Sequence, residues 1–222
     1  MILEIAAFSL PDAIAAAKAG ANRIELCSNY NEGGITCYYE TLSQARQQIQ
    51  MPVFPIIRPR AGDFVFTDDE FKIMKQDILL CKQLGFEGVV LGLLNNDKTV
   101  DINRMKELVE LAHPLPVTFH RAFDETVNPF QALEDIISCG CKRILSSGQK
   151  NAAIDGKELL QQLIRQAKER IIIIPGGGVR SNHIKELKDY TLATELHSAA
   201  ITNTNSASID IDEIEKLLIA IK

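Results

Sequence analysis

A regular alternation of short apolar runs with longer helix-like stretches is the feature that most restricts what this chain can fold into. The alternation occurs eight times, and the starts of successive runs lie between 21 and 35 residues apart. That spacing accommodates one strand, one helix and two short loops in each unit. The runs are Ile2–Ala6, Arg23–Cys27, Val53–Ile57, Gly88–Leu91, Pro116–Phe119, Arg143–Leu145, Ile171–Ile174 and Thr194–Leu196.

Eight strand–helix units predict an α/β fold of the closed (β/α)8, or TIM-barrel, type. Such barrels typically have about 250 residues and rarely fewer than about 200, and this chain has 222. No linker-like segment interrupts the alternation, so we expect a single domain over residues 1–222. The run Ile171–Ile174 is apolar on both faces, as in parallel strands covered by helices. A doubly wound open sheet is the alternative, but the glycine-rich turn expected after its first strand is missing.

Charge and cysteine usage restrict the possible partners and surroundings. The net charge of −5 provides no electrostatic basis for binding nucleic acid or an anionic membrane. No apolar run approaches the roughly 18 residues that suggest a membrane span. The chain enters its first strand without a basic, cleavable leader, and its five cysteines are an odd number. We therefore expect a cytoplasmic protein with free thiols.

Polar side chains stand at or near the ends of several predicted strands. Residues two apart share a strand face, so Glu25 follows Arg23 on one face and His197 follows Glu195 on another, while His120 comes directly after the fifth run. Active sites of this fold lie at the carboxyl ends of the strands. We therefore predict that Glu25, His120, Glu195 and His197 are catalytic, with Glu25 or His120 transferring a proton near neutral pH.

A structural role is the alternative for these residues. Glu4, Arg23 and Glu25 could form buried ion pairs that only fill the barrel. A histidine within a strand is also commonly a hydrogen-bonded core residue, although two histidines beside arginines favour function.

An anion-binding site is predicted beside these residues. Arg58 and Arg60 lie on one loop and suit the capture of a carboxylate or phosphate, with a salt-bridged loop as the alternative. The loop of Gly176, Gly177 and Gly178 follows the seventh run, a frequent phosphate-binding position in this fold. Tight turns are the alternative explanation for the glycines.

Two more polar residues complete the predicted ligand site. Ser147 follows the sixth run and supplies a hydroxyl donor. Asp124 follows the fifth run and could orient Arg121 or His120.

The cysteines provide one candidate metal ligand. Thiolates are favoured ligands of Cu(I) and Zn²⁺, and Cys27 is the thiol nearest the predicted site, with Cys37 ten residues further on. Cys139 and Cys141 are closely spaced but fall before the sixth strand, at the opposite end of the barrel. Cys81 lies within a predicted helix and is expected to be a core residue.

Several segments resemble the CutC family of copper homeostasis proteins. They are Asn22–Cys27, Glu32–Gly34, Ile57–Phe64, Gly88–Gly92, Pro116–Asp124, Pro175–Val179 and Ala193–Ser198. The resemblance implies a TIM barrel, a cytoplasmic location and a copper-binding role, with Cys27 as the Cu(I) ligand. Some relatives carry a second cysteine where this chain has Ala6, so Cys37, His120 or a partner subunit would have to supply the second ligand. Basic residues often found after the eighth strand are also missing from residues 199–209.

Two functions follow as hypotheses. The resemblance implies a Cu(I)-binding protein for copper trafficking or buffering. The residues themselves favour an enzyme of unassigned reaction, acting on a phosphorylated or carboxylated small molecule at the carboxyl end of the barrel. A barrel without activity is a third possibility, and assembly as a homodimer is compatible with each.

Overall fold

Parallel strands and surrounding helices alternate along the whole computed structural model, which describes residues 1–203 and 207–222. The strands are β1 (Ile2–Ala7), β2 (Arg23–Leu26), β3 (Val53–Pro55), β4 (Val89–Leu91), β5 (Val117–Phe119), β6 (Arg143–Ser146), β7 (Ile172–Pro175) and β8 (Glu195–Ser198). The α-helices are α1 (Leu10–Lys18), α2 (Tyr39–Gln48), α3 (Asp68–Leu84), α4 (Ile102–Ala112), α5 (Pro129–Ser138), α6 (Lys157–Ala167), α7 (Ile184–Thr191) and α8 (Ile211–Ala220).

The strands close into a barrel from two half-barrels. One has the order β3-β2-β1-β8 and the other β4-β5-β6-β7, and every ladder within them is parallel. A parallel bridge between Ile56 and Val90 joins β3 to β4, and the N–H of Ile57 donates to the carbonyl of Val90 at 2.7 Å. β7 lies beside β8 on the other side. The predicted (β/α)8 barrel is therefore confirmed.

All eight predicted strands occur near their predicted positions, and β8 shows why the bounds differ. The sequence predicts this strand at residues 194–196, whereas β8 extends to Ser198 and includes His197. From sequence alone, polar residues such as these are not expected in a buried strand, so the predicted strand ends early. Here Glu195 and His197 are buried because each meets a partner of opposite charge or a hydrogen-bonding group inside the barrel.

Several of the helices begin or end at ordinary capping residues. Thr67 and Glu70 form a reciprocal capping box at the start of α3, and Gly85 ends that helix with φ of 79°. Ser9 caps α1, and Asn128 caps α5 directly before Pro129. These local signals fix where the capped helices begin and end. Of the β8–α8 connection, residues 204–206 lie outside the described part of the chain.

Apolar packing lies mainly between the strands and the helices, and the barrel interior is largely polar. The large core cluster joins Leu3 and Ile24 of the strands to Met74 of α3 and to many other buried residues of strands and helices. A small second cluster of Cys27, Phe54, Ile56 and Val90, with Phe8, lies separately from it. In the described ranges no helix combines the length and apolar character needed to cross a membrane.

Candidate active site

A cavity of about 290 Å³ opens at the carboxyl ends of the strands, and we call it the mouth cavity. Its volume lies at the lower end of the roughly 300–1,000 Å³ typical of ligand sites, so it suits a small metabolite. Polar and charged groups reach it from both half-barrels, between aromatic and aliphatic walls. The lining residues are Ala6, Phe8, Glu25, Tyr30, Gly33, Ile56, Arg58, Phe64, His120, Arg121, Leu145, Gly177, Gly178, Arg180, His197 and Ala199.

The structure brings about half of the predicted site residues together. Those that line the mouth cavity are Glu25, Arg58, His120, His197, Gly177 and Gly178. Those that do not line it are Cys27, Arg60, Asp124, Ser147, Gly176 and Glu195. The second group divides into residues that support the cavity from behind and residues that lie away from it.

Alternating charges connect the barrel interior to the floor of the cavity. We call Arg143, Glu195, Arg23, Glu4, His197 and Glu25 the buried charge chain. Arg143 Nε lies 2.9 Å from Glu195 Oε2, and Arg23 forms ion pairs with both Glu195 and Glu4. Glu4 Oε1 then lies 2.7 Å from His197 Nδ1. Glu4, Arg23 and Glu195 therefore hold the barrel interior together beneath the cavity. For Glu4 and Arg23 this is the structural role that the sequence left open as the alternative.

Glu25 ends the buried charge chain with the weakest pairing in it. Its nearest cation in the described residues is His197, whose Nε2 lies 3.7 Å from Glu25 Oε2. Burial, together with the charge of Glu4, raises the pKa of Glu25 to about 7 against the opposing effect of His197. Glu4 contacts the opposite nitrogen of the His197 ring, Nδ1. Burial of Glu4 would raise its pKa, but the hydrogen bonds and charges of His197 and Arg23 outweigh burial and lower that pKa to about 2. Glu25 can therefore exchange a proton near neutral pH while Glu4 stays ionised.

His120 is a neutral hydrogen-bond donor. Its Nδ1 accepts the N–H of Ala122 at 3.2 Å, so the proton of the neutral ring lies on Nε2. That Nε2 is buried and has no partner among the described residues. Burial, with the nearby charge of Arg58, lowers the pKa of His120 to about 3. The sequence-based expectation of a near-neutral pKa therefore fits Glu25 and not His120.

The two arginines of the β3–α3 loop do not act as a pair. Arg58 is buried and donates to the carbonyls of Glu32, Gly34 and Gly62 at 2.8–2.9 Å, so it ties two loops together at the cavity wall. Arg60 points away and pairs with Glu70 at 2.6 Å and with Asp63 at 2.9 Å. Arg60 is therefore paired with carboxylates outside the cavity, as expected if the loop only forms salt bridges.

Asp124 and Ser147 support the cavity from behind. Asp124 Oδ2 accepts hydrogen bonds from Arg121 Nε at 2.8 Å and from the hydroxyl of Ser147 at 2.9 Å. The same hydroxyl lies 3.0 Å from Arg121 Nη2. Asp124 thus orients Arg121, which is one of the two partners that the sequence predicts for Asp124. Arg121 lines the cavity, whereas Asp124 does not.

Sequence reasoning missed Arg121 and Arg180 as binding residues. Arg180 donates to the carbonyls of Val179 at 2.8 Å and Ile201 at 2.5 Å, and no carboxylate pairs with it among the described residues. Its position two residues after the glycine loop was the available signal. Each of these guanidiniums faces the cavity beside Gly177 and Gly178.

The glycine loop allows the chain to pass close to the cavity. Gly177 has φ of 109°, a conformation unfavourable for other residues, and a Cβ there would lie 3.3 Å from Arg121 Cζ. Gly176 sits lower, where a Cβ would lie 2.5 Å from Leu145 Cδ1. Within the described residues the N–H groups of Gly177 and Gly178 donate to no acceptor. They therefore remain available to a ligand.

Cys27 lies below the cavity surface and does not form a ready copper site. It is 1% exposed and packs with Phe54, Ile56 and Val90. Burial, reinforced by the carboxylate of Glu25, raises the pKa of its thiol well above the ordinary value. The described part of the chain contains no cluster of three or more potential metal-ligating side chains. A single protonated thiol does not fit tight Cu(I) binding, which calls for deprotonated soft ligands.

Comparison with known proteins confirms the resemblance found in the sequence. The model of the CutC family matches residues 1–202. A CutC family protein of Chromobacterium violaceum is 48% identical, covering 93% of this chain and 83% of the relative. A mouse relative named copper homeostasis protein cutC homolog is 43% identical, covering 92% and 75%. The crystal structure of CutC from Streptococcus agalactiae has a TM-score of 0.85 at 31% identity and covers 90% of this chain and 98% of that one.

Proposed function

This chain belongs to the CutC family of copper homeostasis proteins, and we propose that it is an enzyme that binds a small phosphorylated or carboxylated molecule in the mouth cavity. The observation that carries this proposal is the convergence of Arg58, Arg121 and Arg180 on one small cavity. Two of them, Arg58 and Arg180, donate only to backbone carbonyls in the described residues. Their charges are therefore left for a ligand to neutralise.

The anion would sit against the β5 and β7 loops. Arg121 and Arg180 approach this part of the cavity with planar groups suited to phosphate or carboxylate oxygens. Gly177 and Gly178 add backbone N–H donors at a position where this fold frequently holds phosphate. Arg58 contributes charge but has most of its donors committed to carbonyls, so it stabilises the wall.

The remaining cavity residues support an enzymatic role. Glu25 and His120 are two ionisable groups whose environments shift their pKa values in opposite directions, to about 7 and about 3. Such separation supplies a proton acceptor and a neutral donor at the same pH. A protein that only carried an anion would have no use for this pair.

Removing Arg180 is expected to weaken anion binding. Because a hydrogen bond to a charged group contributes about 1.5–3 kcal/mol, we expect Arg180→Gln to raise the dissociation constant of glycerol 3-phosphate at least tenfold by calorimetry. Arg60→Gln is the matched control and should leave it unchanged, since Arg60 lies outside the cavity. Equal losses in both variants, or no binding by the unmodified protein, would contradict the proposed function.

Cu(I) binding for copper trafficking or buffering is a second candidate function. It is favoured by the name of the mouse relative and by Cys37, which lies near enough to interact electrostatically with Cys27. Cys37 would be the second sulfur ligand within this chain. Both thiols would have to lose their protons, and burial raises the pKa of Cys37 to about 12.

The copper candidate is tested by anaerobic titration of the reduced protein with Cu(I) against a competing chelator. Because both thiols resist deprotonation, we expect no tight site, and similar curves for the unmodified protein and Cys27→Ser. Cys139→Ser is the control, since Cys139 lies before β6 at the opposite end of the barrel. Stoichiometric binding that is lost in Cys27→Ser and kept in Cys139→Ser would establish the copper function instead.

We also propose that the protein works in the cytoplasm. All five cysteines are free, which a reducing compartment maintains. Fractionation of cells that express the protein would test this.

A further inference from the structure

We propose that the reaction in the mouth cavity is proton abstraction from the carbon beside a carbonyl group, in a small phosphorylated ketone or aldehyde. Glu25 takes the proton and His120 donates a hydrogen bond to the carbonyl oxygen. This inference rests on the proposed anion site, which would bind the phosphate. It adds the class of substrate and the two residues that act on it.

His120 has the properties of a donor to a developing negative oxygen. Its Nδ1 is occupied by the N–H of Ala122, which fixes the ring and leaves the proton on Nε2. Nε2 is buried without a partner in the described residues, although the ring lines the cavity. An unpaired buried donor is costly, so a ligand acceptor explains its retention. Phe64 packs against the ring with centroids 4.9 Å apart and limits its movement.

Glu25 has the properties of the matching proton acceptor. It is 5% exposed and lines the cavity. The other carboxylates of the buried charge chain form ion pairs with guanidiniums. Among the described residues, Glu25 contacts His197 at 3.7 Å and the thiol of Cys27, and the charge of Arg23 acts on it from further away. Its oxygens are therefore not committed to a close cation. His197 stays hydrogen-bonded to Glu4 and acts as a positioning residue behind it.

The two groups approach a bound molecule from different half-barrels. Glu25 belongs to β2 in one half, and His120 follows β5 in the other. A substrate whose phosphate meets Arg121 and Arg180 would lie between them. The aromatic residues Phe8, Tyr30 and Phe64 and the aliphatic Ile56 and Leu145 form the walls, which reduces the access of water to the reacting carbon.

The step is balanced without any further reactant. The Glu25 carboxylate forms a bond to the α-hydrogen, the C–H bonding pair becomes the carbon–carbon double bond, and the carbonyl π pair moves to oxygen. The resulting enolate oxygen accepts the hydrogen bond from His120 Nε2. The carboxyl proton then returns to carbon or exchanges with solvent. Deuterium from D2O would therefore enter the substrate even if no product accumulates.

The test is deuterium incorporation followed by proton NMR. Dihydroxyacetone phosphate and ribulose 5-phosphate in D2O are the reactive probes, and glycerol 3-phosphate, which has no carbonyl, is the binding control. We expect exchange of the α-hydrogens of at least one reactive probe above the buffer rate. His120→Leu removes the donor and should slow that exchange by about 10²–10³-fold, as for loss of one oxyanion donor, while glycerol 3-phosphate binds with unchanged affinity.

The outcomes separate this inference from the function on which it rests. Binding of all three compounds without exchange would overturn the inference and leave the anion site intact. Absence of binding would overturn both. Exchange at an unaltered rate in His120→Leu would remove His120 from the mechanism and overturn the inference. If His120→Leu does not fold by circular dichroism, His120→Ala, which also lacks a side-chain donor, replaces it in the same comparison.

Discussion

Arg23→Met is expected to destabilise the protein by about 3–5 kcal/mol, the usual effect of removing one partner from a buried ion pair. Arg23 is 3% exposed and pairs with both Glu4 and Glu195. The substitution preserves much of the side-chain volume but leaves two buried carboxylates facing each other with one cation fewer. Urea unfolding at pH 7 measures the change, and we expect a lower midpoint with an unchanged slope.

The acid dependence of stability provides a second readout for Arg23→Met. The pKa of Glu4 is lowered from 4.5 to about 2 against its own burial, because His197 and Arg23 stabilise the carboxylate. A carboxyl with a lowered pKa in the folded state contributes stability that is complete above pH 4.5 and disappears as the pH falls toward 2. Removing Arg23 should weaken this dependence over that interval.

Arg170→Met is the control for this prediction. Arg170 also pairs with a carboxylate, Glu134, but at the surface with side-chain exposures of 42% and 39%. Surface ion pairs contribute little because solvent screens them, so its midpoint should scarcely move. If both variants lose stability equally, or Arg23→Met loses none, the buried charge chain is not what holds the barrel interior together.

The barrel could be predicted because its determinants are local and repeated. Each apolar run is bounded by its own turn and capping residues, as Thr67, Glu70 and Gly85 show for α3. A period of two also predicts which side chains share a face, and Glu25 and His197 do meet the same cavity. The sequence predicts an end for β8 that lies two residues too early. Extending the strand to Ser198 does not change which of its side chains share a face.

The depth at which a side chain lies in the barrel, and the residue with which it forms an ion pair, could not be predicted in this way. Glu195 shares a face with His197 but lies lower in the barrel, where Arg23 and Arg143 take it. Arg60 shares a face with Arg58 in an extended chain, yet the capping residue Glu70 draws it outside. These outcomes depend on contacts between residues far apart in sequence. A long side chain such as Arg180 can reach the cavity from a loop that no periodicity describes.

Glu25→Gln is expected to abolish deuterium exchange into a phosphorylated ketone while leaving the protein folded. A positioned general base contributes about 10²–10⁴-fold to proton transfer, and the amide has the same shape but cannot accept the proton. The stability of the folded state at pH 8 should rise in the same variant. The pKa of Glu25 is raised to about 7 by burial, so its ionisation destabilises the folded state as the pH rises from 4.5 through 7. At pH 8 the unmodified protein carries that whole cost, and the amide carries none.

The combination of lost exchange and retained stability is what distinguishes a catalytic Glu25 from a structural one. A purely structural carboxylate would behave like Arg23, because its removal would leave His197 without compensation and lower the unfolding midpoint. His197 keeps its 2.7 Å contact with Glu4, however, so Glu25→Gln should melt at pH 8 no lower than the unmodified protein. Glu25→Asp is the matched variant, which retains a carboxylate one methylene further from the substrate and should keep part of the exchange. Exchange that persists in Glu25→Gln, or a loss of stability equal to that of Arg23→Met, would assign Glu25 to the framework of the barrel and transfer the search for the base to another residue of the mouth cavity.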